Sequence, residues 1–85
     1  MTMKNEHKDY VEAVKHIFCE RLKELRQERK YSQKAVAEKL KIAVSTYANW
    51  EQGRTEPSVY DIFNLLNVFD VEPNELLDFS ELKRI

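Results

Sequence analysis

Three short polar side chains recur along one face of a predicted helix. They are Ser45, Asn49 and Gln52, spaced by four and then three residues. Their hydroxyl and amide groups form hydrogen bonds without carrying a net charge. A helix that only faces solvent more often carries Glu and Lys on its outer face. The pattern therefore favours hydrogen bonding to a polar ligand, such as the base edges or phosphates of a nucleic acid.

No group of residues suggests catalysis or metal binding. Cys19 is the only cysteine, which excludes an internal disulfide, and we expect it to be a small buried apolar residue. His7 and His16 are nine residues apart in the sequence, and we expect both on the surface. The sequence contains no Ser-His-Asp set and no glycine-rich phosphate loop. We expect neither an enzyme nor a bound cofactor or metal.

Charge is distributed unevenly along a chain whose net charge is −1. Residues 1–20 carry a net charge of −1, residues 21–55 carry +5, and residues 56–85 carry −5. The basic middle segment suggests a surface that faces a polyanion, although chance variation among helical surfaces explains the charge equally well. The absence of an apolar leader and of any long apolar run predicts a cytoplasmic protein without a membrane partner.

Helical periodicity dominates the chain around this polar face. Residues 1–9 are predicted to form a disordered polar tail, and Tyr10–Arg29 a long helix. Ser32 is a suitable N-cap for a second helix. A third helix is predicted over residues 44–52. It ends at Gly53, the only glycine of the chain, which adopts a left-handed backbone at the lowest steric cost.

Two further helices complete the predicted fold. Ser58 caps the fourth helix, and Pro73 begins a short fifth one. The predicted core face of the fourth helix consists of Val59, Ile62, Leu65, Leu66 and Phe69. Five helices with short connections predict an all-α, compact domain over residues 10–79, with an extended first helix and a short tail at residues 80–85.

The second and third helices, joined by a tight turn, have the helix-turn-helix arrangement. Residues 21–79 resemble the Cro/phage-repressor (Xre) family, whose domains share the lambda-repressor-like fold. The resemblance depends on Ser32-Gln33, Val36-Ala37, Ser45-Thr46-Tyr47, Trp50-Glu51-Gln52-Gly53, Pro57-Ser58 and Glu75-Leu76-Leu77. It implies binding to double-stranded DNA, with the third helix as the recognition helix in the major groove.

The resemblance also implies roles for individual residues. The positions that match those facing base edges are Val44, Ser45 and Asn49. Those assigned to the DNA backbone are Gln33, Thr46, Gln52 and Arg54. Arg26 and Glu51 match a pair that, in some members, joins the first helix to the recognition helix by a salt bridge. The inward spacing of Tyr47 and Trp50 predicts core packing, with the Tyr47 hydroxyl open to a phosphate.

Two residues depart from the family pattern. Val44 is apolar where a long polar side chain is frequent, so it can touch a thymine methyl group but cannot form hydrogen bonds to a base. Glu56 precedes Pro57, where a neutral or basic residue is more usual, and a carboxylate near phosphate is unfavourable. We therefore expect direct readout of few bases, with DNA shape contributing more.

Two apolar segments lie near the ends of the predicted domain. They comprise Tyr10, Val11, Val14, Ile17 and Phe18 in the first helix, and Phe79, Leu82 and Ile85 near the C-terminus. One or both form a homodimer interface, or both simply cover the core, and the sequence supports the two alternatives equally.

The sequence thus predicts a DNA-binding transcriptional regulator, a dimeric repressor that reads a near-palindromic operator through residues 44–52. The alternative is a protein-interaction module on the same fold, an antitoxin-like or adaptor subunit with weak DNA binding. Val44, Glu56, the acidic flanks and the apolar ends favour this alternative. The basic middle segment and the polar face of the third helix favour DNA.

Overall fold

Five helices make up the described chain. The computed structural model describes the backbone of residues 2–80 and the side chains of residues 10–80. The helices are α1 (Thr2–Glu28), α2 (Gln33–Leu40), α3 (Val44–Gln52), α4 (Val59–Phe69) and α5 (Pro73–Leu76). Residues 2–80 contain no strand, and the all-α fold agrees with the prediction.

Helix α1 is longer than the hydrophobic pattern predicts. It begins at Thr2 and not at Tyr10, and so includes the segment predicted as a polar tail. Its 27 residues span about 40 Å, which explains the longest dimension of 44 Å. No helix within the described residues is long and apolar enough to cross a membrane. Leu82 and Ile85 of the predicted apolar tail lie outside the described residues.

The helix starts agree with the predicted capping residues. The Ser32 side chain accepts a hydrogen bond from the Ala35 backbone N–H at 2.9 Å. At α4, Ser58 and Asp61 form a reciprocal capping box, which satisfies two backbone donors that a helix start leaves unpaired. Pro73 occupies the first turn of α5, where its missing N–H does not disturb the helix.

Three helix ends use a left-handed residue other than glycine. Lys30, Lys41 and Asp70 have φ between 57° and 62°, whereas Gly53 has φ 76°. Lys41 forms the turn between α2 and α3, where its N–H donates to the Glu38 carbonyl at 3.1 Å. A side chain in this conformation costs about 1–2 kcal/mol. The turn of the helix-turn-helix is therefore made without the glycine that would relieve this strain.

The core collects one or two residues from every helix. The buried apolar residues are Leu22, Leu25, Val36, Ala37, Tyr47, Trp50, Leu65, Phe69 and Leu76. The prediction that Val59 faces the core is wrong, because this side chain is 79% exposed. Val59 occupies the first position of α4, and the buried stripe of this helix begins only after its first turn.

Arg21 of α1 and Arg29, which directly follows that helix, hold the C-terminal half of the domain. The Arg29 guanidinium donates to the Phe69 carbonyl at the end of α4 and lies 5.8 Å from the centre of the Phe69 ring. Arg21 donates to the Glu75 carbonyl in α5. Because these carbonyls lie at helix ends, each arginine also complements the negative end of a helix dipole.

Candidate nucleic-acid interface

The outer face of α3 presents most of the residues predicted to meet DNA. Val44 is 46% exposed, and Ser45 beside it is exposed as well. Thr46 and Gln52, which were predicted near the DNA backbone, are also exposed. Asn49 lies one turn beyond Ser45 and is half-buried. These side chains therefore reach the surface from a single helix of nine residues.

The inner face of α3 fixes that helix against the core. Tyr47 and Trp50 pack edge to face, with ring centroids 6.0 Å apart. Both are buried, as their inward spacing predicts. Glu51 follows on the same side and is the only buried charged residue among the described side chains. A buried carboxylate is tolerated only when it is paired and hydrogen-bonded, so its partners decide the stability of this region.

The principal partner of Glu51 is Arg26, from the last turn of α1. Arg26 donates from Nε to Glu51 Oε2 at 2.6 Å and from Nη2 to Oε1 at 3.2 Å. Its third nitrogen donates to the Tyr31 carbonyl at 2.9 Å. This two-bond geometry is among the stronger charge-assisted contacts in proteins. It joins α1, the loop that follows it, and α3.

Two further donors complete the environment of this carboxylate. Gln33, the first residue of α2, donates from Nε2 to Glu51 Oε1 at 3.0 Å. Tyr47 donates its hydroxyl to Oε2 at 2.5 Å. No buried side-chain nitrogen or oxygen among the described residues lacks a hydrogen-bond partner. Helices α1, α2 and α3 therefore meet at one satisfied carboxylate, and we call Arg26, Gln33, Tyr47 and Glu51 the Glu51 network.

The position of Tyr47 corrects one expectation. Its side chain is fully buried and its hydroxyl is used by Glu51, so it is not open to a phosphate. The sequence contains a signal for this contact, because Tyr47 and Glu51 are spaced i, i+4 on one helix and such residues are neighbours. Only the burial of both side chains shows that they form a pair.

Electrostatics in the Glu51 network favour the ionised carboxylate. Burial acts to raise the pKa of Glu51, but hydrogen bonds from Arg26, Tyr47 and Gln33 outweigh it and the pKa is lowered. The hydrogen bond to Glu51 raises the pKa of Arg26. Burial, followed by the hydrogen bond to Glu51, raises the pKa of Tyr47 well above its usual range. All three residues therefore keep their ordinary protonation states at neutral pH.

The C-terminal end of α3 directs Arg54 outward. Gly53 has φ 76°, and the next N–H, that of Arg54, donates to the Asn49 carbonyl at 3.0 Å. The Cys19 thiol of α1 donates to the Trp50 carbonyl at 3.3 Å. Burial, and then the nearby Glu20, raises the pKa of this thiol. Arg54 itself is exposed and has no ion pair among the described residues.

The basic middle segment divides into two groups of side chains. Its paired members are Arg21, Lys23, Arg26 and Arg29, all of which lie in α1 or directly after it. Its exposed members without an ion pair in the described part of the chain are Lys30, Lys34, Lys39, Lys41 and Arg54. The second group surrounds α2 and both ends of α3. Net charge along the sequence could not separate these groups, because the ion pairs depend on the fold.

Glu56 forms an ion pair with a residue of α1. Lys15 of α1 lies 3.3 Å from its carboxylate, and both side chains are substantially exposed. An ion pair of this kind adds little stability, but it offsets the negative charge that the sequence places near the expected phosphates.

The residues described contain no group of His, Cys, Asp and Glu that could hold a metal ion.

A polar outer helix face, a second helix braced against it and a tight turn between them define a helix-turn-helix protein. The helix-turn-helix family model matches residues 22–76 of this chain. The chain therefore belongs to the helix-turn-helix family.

Curated relatives support the same assignment. The chain is 38% identical over 63 residues to the HTH-type transcriptional regulator DdrOP3 of Deinococcus deserti, covering 74% of this chain and 49% of the relative. It is 36% identical over 64 residues to ImmR of Bacillus subtilis, covering 75% of this chain and 50% of the relative. The chain thus spans about half the length of these relatives.

A solved structure resembles the fold over most of the chain. It is the restriction-modification controller protein C.AhdI from Aeromonas hydrophila, with a TM-score of 0.71 and 33% identity. The similarity covers 75% of this chain and 97% of the controller protein. The N-terminal part of α1 lies outside the family match that begins at residue 22.

Proposed function

We propose that the chain acts as a dimeric transcriptional repressor that reads a near-palindromic operator through α3. The observation that carries this proposal is the exposed polar face of α3, whose orientation the Glu51 network fixes from behind. Ser45 and Asn49 offer hydrogen bonds to base edges, and Val44 offers contact with a thymine methyl group. A fixed helix is required because base recognition depends on hydrogen bonds of defined length and direction.

The residues around α3 account for binding to the DNA backbone. Thr46, Gln52 and Arg54 lie exposed on α3 or directly after it, and each offers a donor to a phosphate. Gln33 has a second amide hydrogen for a phosphate while the first remains on Glu51. The unpaired lysines nearby add sequence-independent attraction, which weakens as salt concentration rises.

Repression follows from the geometry of a two-fold dimer. Two recognition helices related by such an axis enter major-groove segments about 34 Å apart, one turn of the DNA helix. A dimer bound in this way covers the operator and excludes polymerase. A cytoplasmic location is consistent with a partner that is double-stranded DNA.

A second candidate function is a protein-interaction module with weak DNA binding. The observation that favours it is the exposure of three apolar residues on α4, namely Val59, Tyr60 and Phe63. Clusters of this kind often mark protein-binding surfaces. The charge-neutral polar face of α3 has no explanation under this candidate, so we rank it second.

Selection of bound duplexes from a random DNA pool tests the proposed function. We expect one near-palindromic sequence to be enriched, and its affinity to fall with salt by a slope of about −0.9 for each phosphate neutralised. The variant Val44→Glu is the control, because it places a carboxylate against the bases and should abolish enrichment while the protein stays folded. Binding of equal strength to all sequences would contradict the repressor proposal and favour the interaction module.

A further inference from the structure

The outward face of α4 carries no charged residue, although one third of the chain is charged. Val59 is 79% exposed, Tyr60 82% and Phe63 63%. The other exposed residues within this helix are Asn64 and Asn67, so its solvent-facing side carries no charge. Residues spaced by three and four share one side of a helix. We call Val59, Tyr60 and Phe63 the α4 patch.

An apolar groove of about 210 Å³ opens beside the α4 patch. Its apolar lining consists of Val14, Phe18, Pro57, Ile62, Leu77 and Phe79. Ile62 lies one turn beyond Val59, so groove and patch form one continuous surface. Lys15 and Glu56 form its rim and neutralise each other at 3.3 Å.

Most of this groove lies outside the segment that defines the family. The family match covers residues 22–76, whereas one wall comes from Val14 and Phe18, and the other from Leu77 and Phe79. The N-terminal extension of α1 therefore does more than lengthen a helix, because it supplies one side of an apolar groove. An apolar cavity of about 150 Å³ accommodates a benzene ring, so this groove is large enough for an aromatic side chain.

We propose that a second copy of this chain packs on this surface, with the aromatic side chains of its α4 patch in the groove. Each copy carries both the α4 patch and the groove beside it. In a two-fold interface, the patch of each copy can therefore pack into the groove of the other. Every residue near a two-fold axis faces its own copy, so a charged residue there would be repelled by a like charge. The neutral outer side of α4 satisfies this requirement.

The area that a stable dimer interface buries also favours an interface that includes both the α4 patch and the groove. From their exposed fractions, the three residues of the α4 patch present on the order of 400 Å², whereas a stable interface buries about 800 Å² per partner. The patch alone supplies roughly half of that area, and the groove contributes the remainder. This inference rests on the proposed function, because it specifies how the two recognition helices of the repressor are joined.

Sedimentation of the full chain without DNA tests the interface independently of DNA recognition. We expect Phe63→Glu to weaken self-association by at least about 30-fold, the effect of losing one central interface residue. Val14→Glu should weaken it comparably, because it places a charge in the groove. Val44→Glu is the matched control, since it adds the same charge to an exposed valine on α3 and should leave the dimer intact.

The same variants distinguish failure of this inference from failure of the proposed function. Phe63→Glu should still bind a single half-site, whereas Val44→Glu should form dimers that bind no operator. A dimer that persists in Phe63→Glu or in Val14→Glu would overturn the interface, even if DNA selection succeeds. A wild-type chain that remains monomeric at millimolar concentration would overturn it as well.

Isotope-filtered NMR on the wild-type dimer tests the interface without any substitution, so misfolding of a variant cannot affect the result. In a mixture of labelled and unlabelled chains, we expect contacts between the Phe63 ring of one copy and the methyl groups of Val14 and Leu77 of the other. Their absence, or contacts between the two α4 helices alone, would contradict the proposed use of the groove.

Discussion

Helices α3 and α4 differ in what fixes them and in what they leave exposed. Behind α3 lies a fully hydrogen-bonded carboxylate with donors from three helices, and its outer face is largely polar. Behind α4 lies an apolar core, and its outer face exposes a valine and two aromatic side chains. Polar networks impose directions that apolar contacts do not, because hydrogen bonds depend on angle as well as distance.

This difference suits two kinds of recognition. A helix that reads bases requires a fixed orientation and must return fully to water when DNA leaves. A helix that joins two copies requires buried area, and its aromatic residues supply large contact surfaces. The chain thus separates the surface proposed for DNA from the surface proposed for the second copy.

The largest effect is expected from breaking the Glu51 network. Glu51→Ala leaves the Arg26 guanidinium without its buried partner, so we expect the free energy of unfolding to fall by about 3–5 kcal/mol. Phe63→Ser on the exposed side of α4 should change that free energy by no more than about 0.5 kcal/mol per chain in dilute monomer. Urea denaturation of both variants measures the contrast. Similar losses of unfolding free energy for the two substitutions would contradict the proposed difference in what stabilises α3 and α4.

Protonation of the same carboxylate should destabilise the fold less than its deletion does. The pKa of Glu51 is lowered in the folded state, whereas its value in the unfolded chain is about 4.3. The unfolded state therefore binds the proton more readily as the solution becomes acidic. The stabilisation is complete above about pH 4.3 and is lost as the pH falls towards the folded-state pKa.

Denaturation midpoints measured between neutral and acidic pH test this linkage. Glu51→Gln should show a flatter dependence on pH below the unfolded-state value. Glu38→Gln is the matched control, since Glu38 is exposed on α2 without an ion pair among the described residues. An equally steep acid transition in Glu51→Gln would assign the dependence to other groups.

Substitutions on α3 should separate base reading from backbone contact. Asn49→Ala should lose about 1–3 kcal/mol of discrimination at one base position. Arg54→Ala should weaken binding to all duplexes and reduce the salt slope by about one unit. Asn74→Ala, an exposed asparagine on α5, serves as the control. If Arg54→Ala altered base preference and left the salt slope unchanged, our assignment of roles would be wrong.

The smallest effects concern the two ends of α3. Gly53→Ala should destabilise the fold by about 1–2 kcal/mol, because φ is 76° and the added methyl group would lie 3.4 Å from the Cys19 sulfur. Lys41→Gly should stabilise it by up to about 1 kcal/mol, because it relieves a left-handed side chain before α3. Thermal unfolding measures both changes. A destabilised Lys41→Gly would show that the entropy of the unfolded chain dominates at this turn.

Local sequence signals predicted most of the fold. The spacing of apolar residues, the serines at two helix starts and the single glycine locate α2, α3 and α4 correctly. These signals suffice because capping and left-handed ends depend on residues close together in the chain. The exposure of Val59 was not predictable in this way, since apolar residues line both adjacent sides of α4 and spacing alone does not show where the core ends.

Long-range polar contacts were the least predictable feature of the site. The resemblance implied the pairing of Arg26 with Glu51, but convergence of Gln33 and Tyr47 on the same carboxylate depends on how three helices cross. The pairing of Lys15 with Glu56 joins residues far apart in sequence and corrects the impression of an unfavourable charge. The structural role of Arg29 likewise depends on where α4 ends.

Chemical-shift mapping of the ¹⁵N-labelled chain with its selected duplex tests the central claim most directly, because it reports which surface DNA touches. We predict that the changes concentrate in α3, at Gln33 and at Arg54, and that the α4 patch stays unchanged when an existing dimer binds. Changes concentrated at Tyr60 and Phe63, with α3 unaffected, would contradict the assignment of α3 as the recognition helix.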